Sequence, residues 1–394
     1  MKFQKIKNNI YFCGLNHSDR EIFDELIPLE HGTSYNSFLI TGSEKTALID
    51  TMYMPLADEY IKNLDENGVD KVDYIIANHG EQDHTGALPI LLDKYPDAKI
   101  VTNSTCKENL KTMLFVPEEK IMTVQNDEEL SLGDKTLRFI FAPNVHWPDT
   151  MFTYIKEDNV LFTCDFLGAH YTFDDVFAVP SEDLKRSARR YYAEIMMPFR
   201  VMCKKYLQMV KDINPEMILP SHGPVYKDTN FILDLYSDMT KDETKNLVII
   251  PYVSMYGSVA EMVEYLDKGL KSRGIETYKY DIIRGDIGEL ASTLIDGTTL
   301  VIGTSMVLAG PHPASVNVAY LTGLLRPKIK FASFVGSFGW GGKLLEPFSV
   351  MLSKLRLEVI DPVLEKGKAT EDTYRQIDAM IDTIVEKHKS LGLI

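Results

Sequence analysis

The stretch His79-Gly-Glu81-Gln-Asp83-His84 follows an apolar segment at residues 72–77 that reads Val-Asp-Tyr-Ile-Ile-Ala. It places two histidines and two carboxylates directly after a strand that we expect to be buried. Such a cluster is costly to bury unless a cation binds it. A hydrogen-bonded turn at the strand end is the alternative for this motif taken alone.

Three later segments have the same character, because each carries a ligand-type residue in a loop-like setting. These segments are Pro143-Asn-Val-His146-Trp147-Pro148, Thr163-Cys-Asp165-Phe166 and Pro220-Ser-His222-Gly223-Pro224. Taken singly, His146, Asp165 or His222 could be an ordinary loop residue. All four segments lie in one half of the chain, and each places a ligand-type residue after a predicted strand. Together they predict the ligands of a two-metal site.

The arrangement resembles the metallo-β-lactamase superfamily. Its zinc hydrolases carry His-x-His-x-Asp-His, followed by a further histidine, a bridging aspartate and a last histidine. Here Glu81 stands in the place of the second histidine. Zinc hydrolase sites favour imidazole, whereas additional carboxylates suit harder, redox-active ions such as iron. Glu81 therefore favours iron, although zinc can occupy many iron sites when iron is scarce.

Length and composition predict a two-domain soluble protein. The chain has 394 residues, of which 45% are hydrophobic and 25% are charged. This length exceeds the size at which single cores stop growing. The N-terminus does not read as a secretory signal, and no apolar stretch approaches the roughly 20 residues that span a bilayer. We therefore expect a cytoplasmic protein that does not bind membranes.

The cysteines are widely scattered, at Cys13, Cys106, Cys164 and Cys203. They form no C-x-x-C pair, which excludes a fused rubredoxin and gives no disulfide framework. We expect reduced, buried thiols, including Cys164 beside Asp165.

The formal net charge is -15. Residues 247–394 carry 16 Lys and Arg against 17 Asp and Glu, so almost all of the excess negative charge precedes them. Such a surface disfavours nucleic acid and anionic membranes as partners. The near-neutral C-terminal part is the less repulsive place for an acidic redox partner to dock.

The first 245 residues predict many short strands with flanking helices. Apolar runs predict strands at 9–13, 35–40, 45–50, 72–77, 99–102, 137–142, 151–155 and 160–163. An amphipathic pattern near 181–213 predicts helix. Such a pattern indicates a sandwich of sheets covered by helices, with the ligands on loops at one end.

The pattern changes at Asn246. An apolar strand at 247–253, the loop Ser254-Met-Tyr-Gly-Ser258 and a helix at 259–273 form a candidate phosphate cradle of backbone N–H groups, hydroxyls and a helix N-terminus. A plain strand-to-helix turn has the same form. Two further loops favour a phosphate-binding site over a plain turn. The strands at 299–303 and 331–335 are each followed by a segment rich in glycine, aromatic and hydroxyl residues.

Such loops at successive strand ends of a parallel sheet suit a flat isoalloxazine ring. FMN is favoured over a dinucleotide, because no G-x-G-x-x-G motif occurs with an acidic ribose partner. His312, between two prolines, is expected to be only a loop residue. The candidate flavin contacts are Ser254, Met255, Tyr256, Gly257, Ser258, Val259, Thr304, Ser305, Met306, Val307, Ser337, Phe338, Gly339, Trp340, Gly341 and Gly342.

Both halves together resemble the flavodiiron proteins, or A-type flavoproteins. The motifs that carry the resemblance are His79-x-Glu81-x-Asp83-His84, His146-Trp147-Pro148-Asp149, Asp165, His222-Gly223, Gly32-Thr-Ser-Tyr-Asn36 and Ser254-Met-Tyr-Gly-Ser258. The resemblance implies an α/β protein. An αββα metallo-β-lactamase-like di-iron sandwich spans residues 1–245, and a flavodoxin-like, doubly wound parallel sheet that binds FMN spans 246–394. Two positions depart from the family: Asp24 follows Phe23 where members often carry histidine, and Ser305-Met306 replaces a common Pro-Thr pair.

The resemblance also implies the reaction. Dioxygen is reduced to water, or nitric oxide to nitrous oxide, at two non-haem irons with electrons relayed through FMN. The implied metal ligands are His79, Glu81 and His146 on one iron, His84 and His222 toward the other, and Asp83 and Asp165 as completing or bridging carboxylates. His170 is a candidate proton donor or outer hydrogen-bond partner, and Trp147 is expected to pack near the site and the flavin.

The implied partners are the gas, a reduced electron donor and a second copy of the chain. The donor could be rubredoxin, a deazaflavin coenzyme or a flavoprotein reductase. A head-to-tail homodimer, or a dimer of dimers, would bring each FMN to the partner's irons. Two other classes stay open: a zinc hydrolase with an appended flavodoxin domain, and an electron carrier with a vestigial metal site. Glu81 and the flavin loops count against the first, and the complete ligand set counts against the second.

Overall fold

The computed structural model describes residues 2–394, which divide into two compact units. Unit 1 comprises the chain up to Tyr192 together with Phe199–Thr240, and unit 2 comprises Ala193–Pro198 together with Lys241–Ile394. The domain boundary expected after residue 245 stays a prediction, because compactness alone does not define a part that folds independently.

The strands of unit 1 are β1 (Gln4–Lys7), β2 (Ile10–Phe12), β3 (Leu15–His17), β4 (Ile22–Phe23), β5 (Ile27–Pro28), β6 (Thr33–Tyr35), β7 (Phe38–Thr41), β8 (Thr46–Ile49), β9 (Tyr74–Ile76), β10 (Lys99–Thr102), β11 (Ile121–Thr123), β12 (Glu129–Ser131), β13 (Thr136–Phe141), β14 (Met151–Ile155), β15 (Val160–Cys164) and β16 (Met217–Pro220). Its helices are α1 (Ala57–Glu66), α2 (Gln82–Thr85), α3 (Leu88–Lys94), α4 (Ser104–Met113), α5 (Glu182–Tyr191), α6 (Arg200–Ile213) and α7 (Thr229–Thr240).

Two sheets form the centre of unit 1. The first runs in the order β1-β2-β7-β8-β9-β10-β11 and the second in the order β12-β13-β14-β15-β16. One apolar core joins them, since Ile49 and Ile76 of the first sheet belong to the same buried cluster as Phe139 and Phe162 of the second. Burial of such side chains contributes about 25 cal/mol per Å² of apolar surface. The sandwich expected from the sequence is therefore present.

Two sequence expectations for unit 1 needed correction. The strand expected at 35–40 is two strands, β6 and β7, because β6 pairs with β3 in a separate two-stranded sheet and the chain enters the first sheet only at Phe38. The helix expected near 181–213 is interrupted between α5 and α6 by a π-helical turn, Tyr192–Met196, and a 3-10 turn, Met197–Phe199. Pro198 lacks the backbone N–H that a continuous helix would need there.

Unit 2 contains the strands β17 (Leu247–Tyr252), β18 (Glu276–Asp281), β19 (Thr299–Val307), β20 (Gly310–Pro311), β21 (Phe331–Phe338), β22 (Glu358–Val359) and β23 (Val363–Lys366). Its helices are α8 (Ser258–Ser272), α9 (Ile287–Leu294), α10 (Pro313–Leu325), α11 (Glu346–Met351) and α12 (Glu371–Ser390).

The main sheet of unit 2 is parallel and has the order β18-β17-β19-β21, with β22 and β23 both paired to β21. This is the flavodoxin-like order, in which the strand order reverses beside the first strand. On one face, apolar residues of α8 and α12 pack on the sheet. The doubly wound sheet expected from the sequence is therefore present.

Two loops of unit 2 begin later than the sequence predicts. β19 continues to Val307 and turns back through β20 as a short hairpin, and β21 continues to Phe338. The register explains the extension, because Thr304 and Ser305 pair with Gly336 and Ser337 in the parallel ladder. Residues expected in loops therefore line the end of the sheet.

Within residues 2–394, every helix is too short or too polar to cross a membrane. Cys13, Cys106, Cys164 and Cys203 are all buried free thiols, as the scattered cysteines predict.

Candidate metal centre and flavin site

The predicted metal ligands lie just beyond strands of both sheets in unit 1. His79 follows β9, Asp165 follows β15, His222 follows β16, and His146 lies in the loop between β13 and β14. The short helix α2 and the residue that precedes it supply the others. A ligand from each sheet can therefore reach the same place, where the loops at one end of the sandwich converge.

Four ligand atoms form a first group. Oε2 of Glu81 lies 3.1 Å from Nε2 of His79 and 3.3 Å from Nε2 of His146. Oδ2 of Asp165 lies 3.5 Å from the first imidazole nitrogen and 3.4 Å from the second. All four atoms lie within 4.8 Å of one another. Two imidazoles and two carboxylates therefore surround one point.

A second group contains Asp83, His84 and His222. Nε2 of His222 lies 3.1 Å from Oδ2 of Asp83, and Nε2 of His84 lies 3.3 Å from Oδ1 of the same carboxylate. The other oxygen of Asp165, Oδ1, lies 2.9 Å from Nε2 of His84 and 3.5 Å from that of His222. Asp165 thus presents one carboxylate oxygen to each group.

The two groups fit a pair of cations. Both oxygens of Asp165, Oδ1 of Asp83 and Nε2 of His84 are buried, and none of them has a hydrogen-bond partner among residues 2–394. His84 and Asp165 approach to 2.9 Å without the geometry of a hydrogen bond. Buried acceptors held this close repel one another unless positive charge lies between them, so this donor set suits metal ions.

The electrostatics agree with this fit. Burial by itself lowers the pKa of a histidine. The carboxylates around His79, His84 and His146 nevertheless raise the pKa values of these three residues to about 10. The pKa of Glu81 lies well below its usual range: burial raises it, but its contacts with His146 and His79 lower it more. Without metal, the anionic groups would hold protons on these imidazoles, and bound cations take over that role.

Outer hydrogen bonds orient the imidazoles. Oδ1 of Asp149 lies 3.1 Å from Nδ1 of His79, and the backbone oxygen of Ser34 lies 2.7 Å from Nδ1 of His222. An oxygen acceptor at Nδ1 fixes the proton there and leaves Nε2 free for a metal. Sequence reasoning placed Asp149 in a family motif but did not assign this contact.

His170 lies beside the second group without belonging to either group. Its Nδ1 is 3.0 Å from the hydroxyl of Thr33, and its ring centroid lies 4.2 Å from that of Phe23. Burial, and then the neighbouring His222, hold the pKa of His170 well below its usual range, so the ring is neutral. Trp147 packs edge-on to His79 with ring centroids 4.9 Å apart, which places it next to the first group as expected.

In unit 2, the ends of β17, β19, β21 and β23 surround a cavity of about 290 Å³. The predicted flavin contacts that line it are Met255, Tyr256, Ser258, Ser305, Met306, Ser337, Phe338, Gly339 and Trp340. Gly367 also lines the cavity, and the sequence analysis missed it. The backbone N–H of Gly367 donates to the carbonyl oxygen of Phe338 over 2.9 Å, which holds it beside β21.

The other candidate flavin contacts lie outside this lining. Val259 and Thr304 are buried, and the Thr304 hydroxyl bonds to that of Ser315 over 2.8 Å. Ser254 instead accepts a hydrogen bond from the backbone of Ala260, which stabilises the first turn of α8. The remaining members of this set are Gly257, Val307, Gly341 and Gly342.

Gly257 precedes α8 and has a φ of 91°. This left-handed conformation favours glycine, and it directs the chain into the helix at the edge of the cavity. His312 caps helix α10, because its Nδ1 accepts from the backbone N–H of Ala314 over 3.2 Å. It is therefore a structural loop residue, as the sequence analysis expected.

Comparison with known proteins agrees with this architecture. The model of a family described as ODP family beta lactamase matches residues 33–223. A flavo-diiron protein of Clostridium acetobutylicum is 32% identical over 372 residues, which cover 90% of this chain and 92% of that protein. A nitric oxide reductase of Moorella thermoacetica is 32% identical over 383 residues, covering 94% of this chain and 95% of that protein.

A solved structure named rubredoxin oxygen:oxidoreductase, from Desulfovibrio gigas, matches with a TM-score of 0.94 and 26% identity, and 100% of each chain is covered. The fold class expected from the sequence is confirmed over both units. Since relatives more than 30% identical match nine-tenths of its length, this chain belongs to the flavodiiron protein family.

Proposed function

We propose that this protein is an oxidoreductase that reduces dioxygen to water, nitric oxide to nitrous oxide, or both. When bound, two ferrous ions supply the site where the gas is reduced, and FMN relays electrons to them. The observation that carries the proposal is the placement of Asp165, which turns one carboxylate oxygen toward each of two ligand groups. The names of the relatives in Moorella and Desulfovibrio support both gases as substrates.

In this proposal, the first group holds one iron and the second group holds the other. His79, Glu81 and His146 serve the first, and Asp83, His84 and His222 serve the second. Asp165 would serve both ions, because one of its carboxylate oxygens faces each group. The carboxylates give the site hard, negative oxygen ligands, which is why iron is favoured over zinc. A zinc hydrolase is not favoured, because Glu81 takes the place of an imidazole.

The chain's own residues orient the ligands and serve proton transfer. Asp149 and the backbone of Ser34 fix the proton on Nδ1 of their histidines. His170 is neutral and buried, and its Nε2 has no hydrogen-bond partner among the described residues. On the other side of the ring, the Thr33 hydroxyl lies 3.0 Å from Nδ1 of His170 and 3.5 Å from Nδ1 of His222, which connects His170 to the second group for proton transfer.

The cavity of unit 2 binds FMN in this proposal. The N-terminus of α8 and the hydroxyl of Ser258 suit the phosphate, because the first turn of a helix directs backbone N–H groups toward a bound anion. Tyr256 and Trp340 are 90% and 66% exposed, so that their rings can flank a planar isoalloxazine.

Metal and flavin content, with turnover, test the function directly. Protein purified from iron-replete cells should hold about two irons per chain, together with FMN. After chemical reduction it should consume dioxygen, nitric oxide or both in steady state, and comparing the two rates gives the preference. Protein that contains only zinc and has full hydrolase activity, with no gas consumption, would overturn the proposal.

We further propose a head-to-tail homodimer in which each FMN meets the partner's di-iron site, and a reduced protein or coenzyme as donor. The exposed aromatic side chains at the flavin cavity, Tyr256 and Trp340, support a surface that a partner covers. A mixture of one chain defective at His146 and another defective at Ser254 and Gly257 should regain part of the activity. An active monomer in sedimentation at assay concentration contradicts this assembly, as does the absence of rescue in proven hybrids.

A further inference from the structure

Unit 1 buries four tyrosine hydroxyls for which residues 2–394 provide no hydrogen-bond partner. Tyr191, Tyr192, Tyr226 and Tyr236 are fully buried, and none of their hydroxyl groups makes a hydrogen bond within residues 2–394. Leaving one buried hydroxyl unsatisfied costs about 1–3 kcal/mol. In folded proteins, such groups are usually satisfied by internal water, which makes about three hydrogen bonds.

Three of these tyrosines, Tyr191, Tyr192 and Tyr236, form one cluster. The rings of Tyr192 and Tyr236 meet edge to face, with centroids 5.3 Å apart. Tyr191 directly precedes Tyr192 in the chain. The hydroxyls of Tyr191, Tyr192 and Tyr236 therefore belong to side chains that lie in one region of unit 1.

The cluster reaches the metal centre on two sides. The Tyr191 ring lies 4.8 Å from that of His170 and 6.0 Å from that of His222, between centroids. The Tyr236 ring lies 5.4 Å, between centroids, from that of Phe166, which directly follows Asp165 in the chain.

We propose that these tyrosine hydroxyls hold internal water molecules, and that the hydroxyls and waters conduct protons, supplied by bulk solvent, through Tyr191 and His170 to the metal centre. The second part rests on the proposed function, because each dioxygen reduced to two waters takes up four electrons and four protons. In each transfer, a hydroxyl gives its proton to the acceptor ahead and takes one from the water behind, so that no net charge stays on the tyrosine.

Local backbone structure supports the cluster. Tyr191 ends α5, and Tyr192 begins the π-helical turn Tyr192–Met196. Single π-helical turns are frequent at functional sites. Here consecutive tyrosines contact different neighbours, the first His170 and the second Tyr236 of α7. One helix end thus links the metal centre to the rest of the cluster.

The water sites can be tested without turnover. A high-resolution crystal structure of the iron- and FMN-loaded protein should show ordered water within hydrogen-bond distance of the Tyr236 and Tyr191 hydroxyls. Tyr236→Phe should lower the Tm, because it removes a partner of bound water. A dry cluster in the crystal, or a Tm that rises in Tyr236→Phe because a bare hydroxyl is removed, would overturn the proposal.

The relay is tested in the same loaded protein. Tyr236→Phe and Tyr191→Phe should each slow steady-state dioxygen reduction by about tenfold and increase the ratio of rates in H₂O and D₂O. Iron content, FMN content and the rate of flavin reduction should not change. Tyr206→Phe is the matched control, because its ring is equally buried but it lines a separate surface groove.

These experiments distinguish failure of the water sites, failure of the proton relay and failure of the proposed function. Ordered waters with unchanged rates and an unchanged isotope ratio in both variants would refute the relay. Wild-type protein that holds iron and FMN but reduces neither gas would refute the proposed function, while the crystallographic waters would still decide the water sites.

Discussion

Oδ1 of Asp149 lies 3.1 Å from Nδ1 of His79, deep in unit 1, where both side chains are fully buried. The other oxygen of Asp149 accepts from the backbone N–H of Gly80 over 2.8 Å and from Nδ2 of Asn109 over 3.1 Å. These contacts hold the carboxylate in its ionised form, and its pKa is lowered although burial opposes this. The imidazole therefore donates from Nδ1 and turns Nε2 toward Glu81.

The first prediction is that Asp149→Asn weakens metal binding. The amide has only one accepting oxygen, so its NH₂ group must face at least one of the three donors that surround Asp149 now. Loss of such an outer partner typically lowers metal affinity 10–100-fold. We expect a fall of this size, roughly 10–100-fold, in iron affinity measured by competition with a chelator.

Asp93→Asn serves as the control for this variant, because Asp93 is an exposed carboxylate on α3. It should bind iron like the wild type. Equal iron affinity in Asp149→Asn and Asp93→Asn would show that Asp149 does not orient His79.

The second prediction concerns Glu81. Its carboxylate lies between Nε2 of His79 and Nε2 of His146, and it is the residue that distinguishes this site from zinc hydrolases. Glu81→His should restore the imidazole-rich pattern, weaken iron binding relative to zinc and abolish gas reduction. Metal analysis after growth with both ions measures the first effect. Retained iron with retained turnover would show that Glu81 is not a ligand.

Much of the metal centre can be predicted from the sequence, because its ligands follow apolar strands. His79, Asp165 and His222 each come directly after a buried strand, and strand ends on one edge of a sandwich meet in space. The contact of Asn109 with Asp149 leaves no such local pattern. Asn109 lies in helix α4, and its role depends on how that helix packs beside the loop after β9.

The flavin site shows the same limit. Glycine and aromatic residues after β17 and β21 indicate a cofactor cavity, yet Gly367 is found only through its pairing beside Phe338. Likewise, apolar periodicity does not reveal that β19 continues through Thr304 and Ser305, since these polar residues gain their strand geometry from the neighbouring β21. Long-range pairing, which local sequence does not encode, decides both features.

The third prediction is that Gly257→Ala lowers FMN affinity. A Cβ at this position would meet no atom within 4 Å, so the cost comes only from the φ of 91°, which an L side chain rarely adopts. Such strain is about 1–2 kcal/mol, and relief of it would move the start of α8 away from the cavity edge. We expect weaker FMN binding in a fluorescence titration of the apoprotein.

Gly274→Ala is the control for this strain. Gly274 has a φ of 78° and also has open space at its Cβ, but it lies beyond the other end of α8. It should lose a similar amount of stability and keep its FMN affinity. If both variants bind FMN equally well, the conformation of Gly257 does not shape the flavin site.

The last prediction concerns His388. This side chain lies near the C-terminal end of α12 and is completely buried. Its Nδ1 lies 2.7 Å from Oδ1 of Asn246, and its Nε2 lies 2.9 Å from the hydroxyl of Thr299. The Asn246 amide is oriented by its NH₂ group, which donates to Gly274. The neutral ring therefore donates from Nδ1 and accepts at Nε2. A second proton would place a positive charge in this buried site and require the Thr299 hydroxyl to change from donor to acceptor.

Burial accordingly lowers the pKa of His388 from 6.5 to about 4 in the folded state. Below pH 6.5 the unfolded chain binds a proton that the folded chain does not, so this contribution to stability is complete above 6.5 and is lost as the pH falls toward 4. The loss amounts to about 3 kcal/mol at most. Protection factors for hydrogen–deuterium exchange in β17 and β19, which correct for the intrinsic pH dependence of exchange, should therefore fall as the pH is lowered through this range, and His388→Gln should flatten that change relative to the wild type. Parallel pH profiles in the two proteins would show that His388 is not the group responsible.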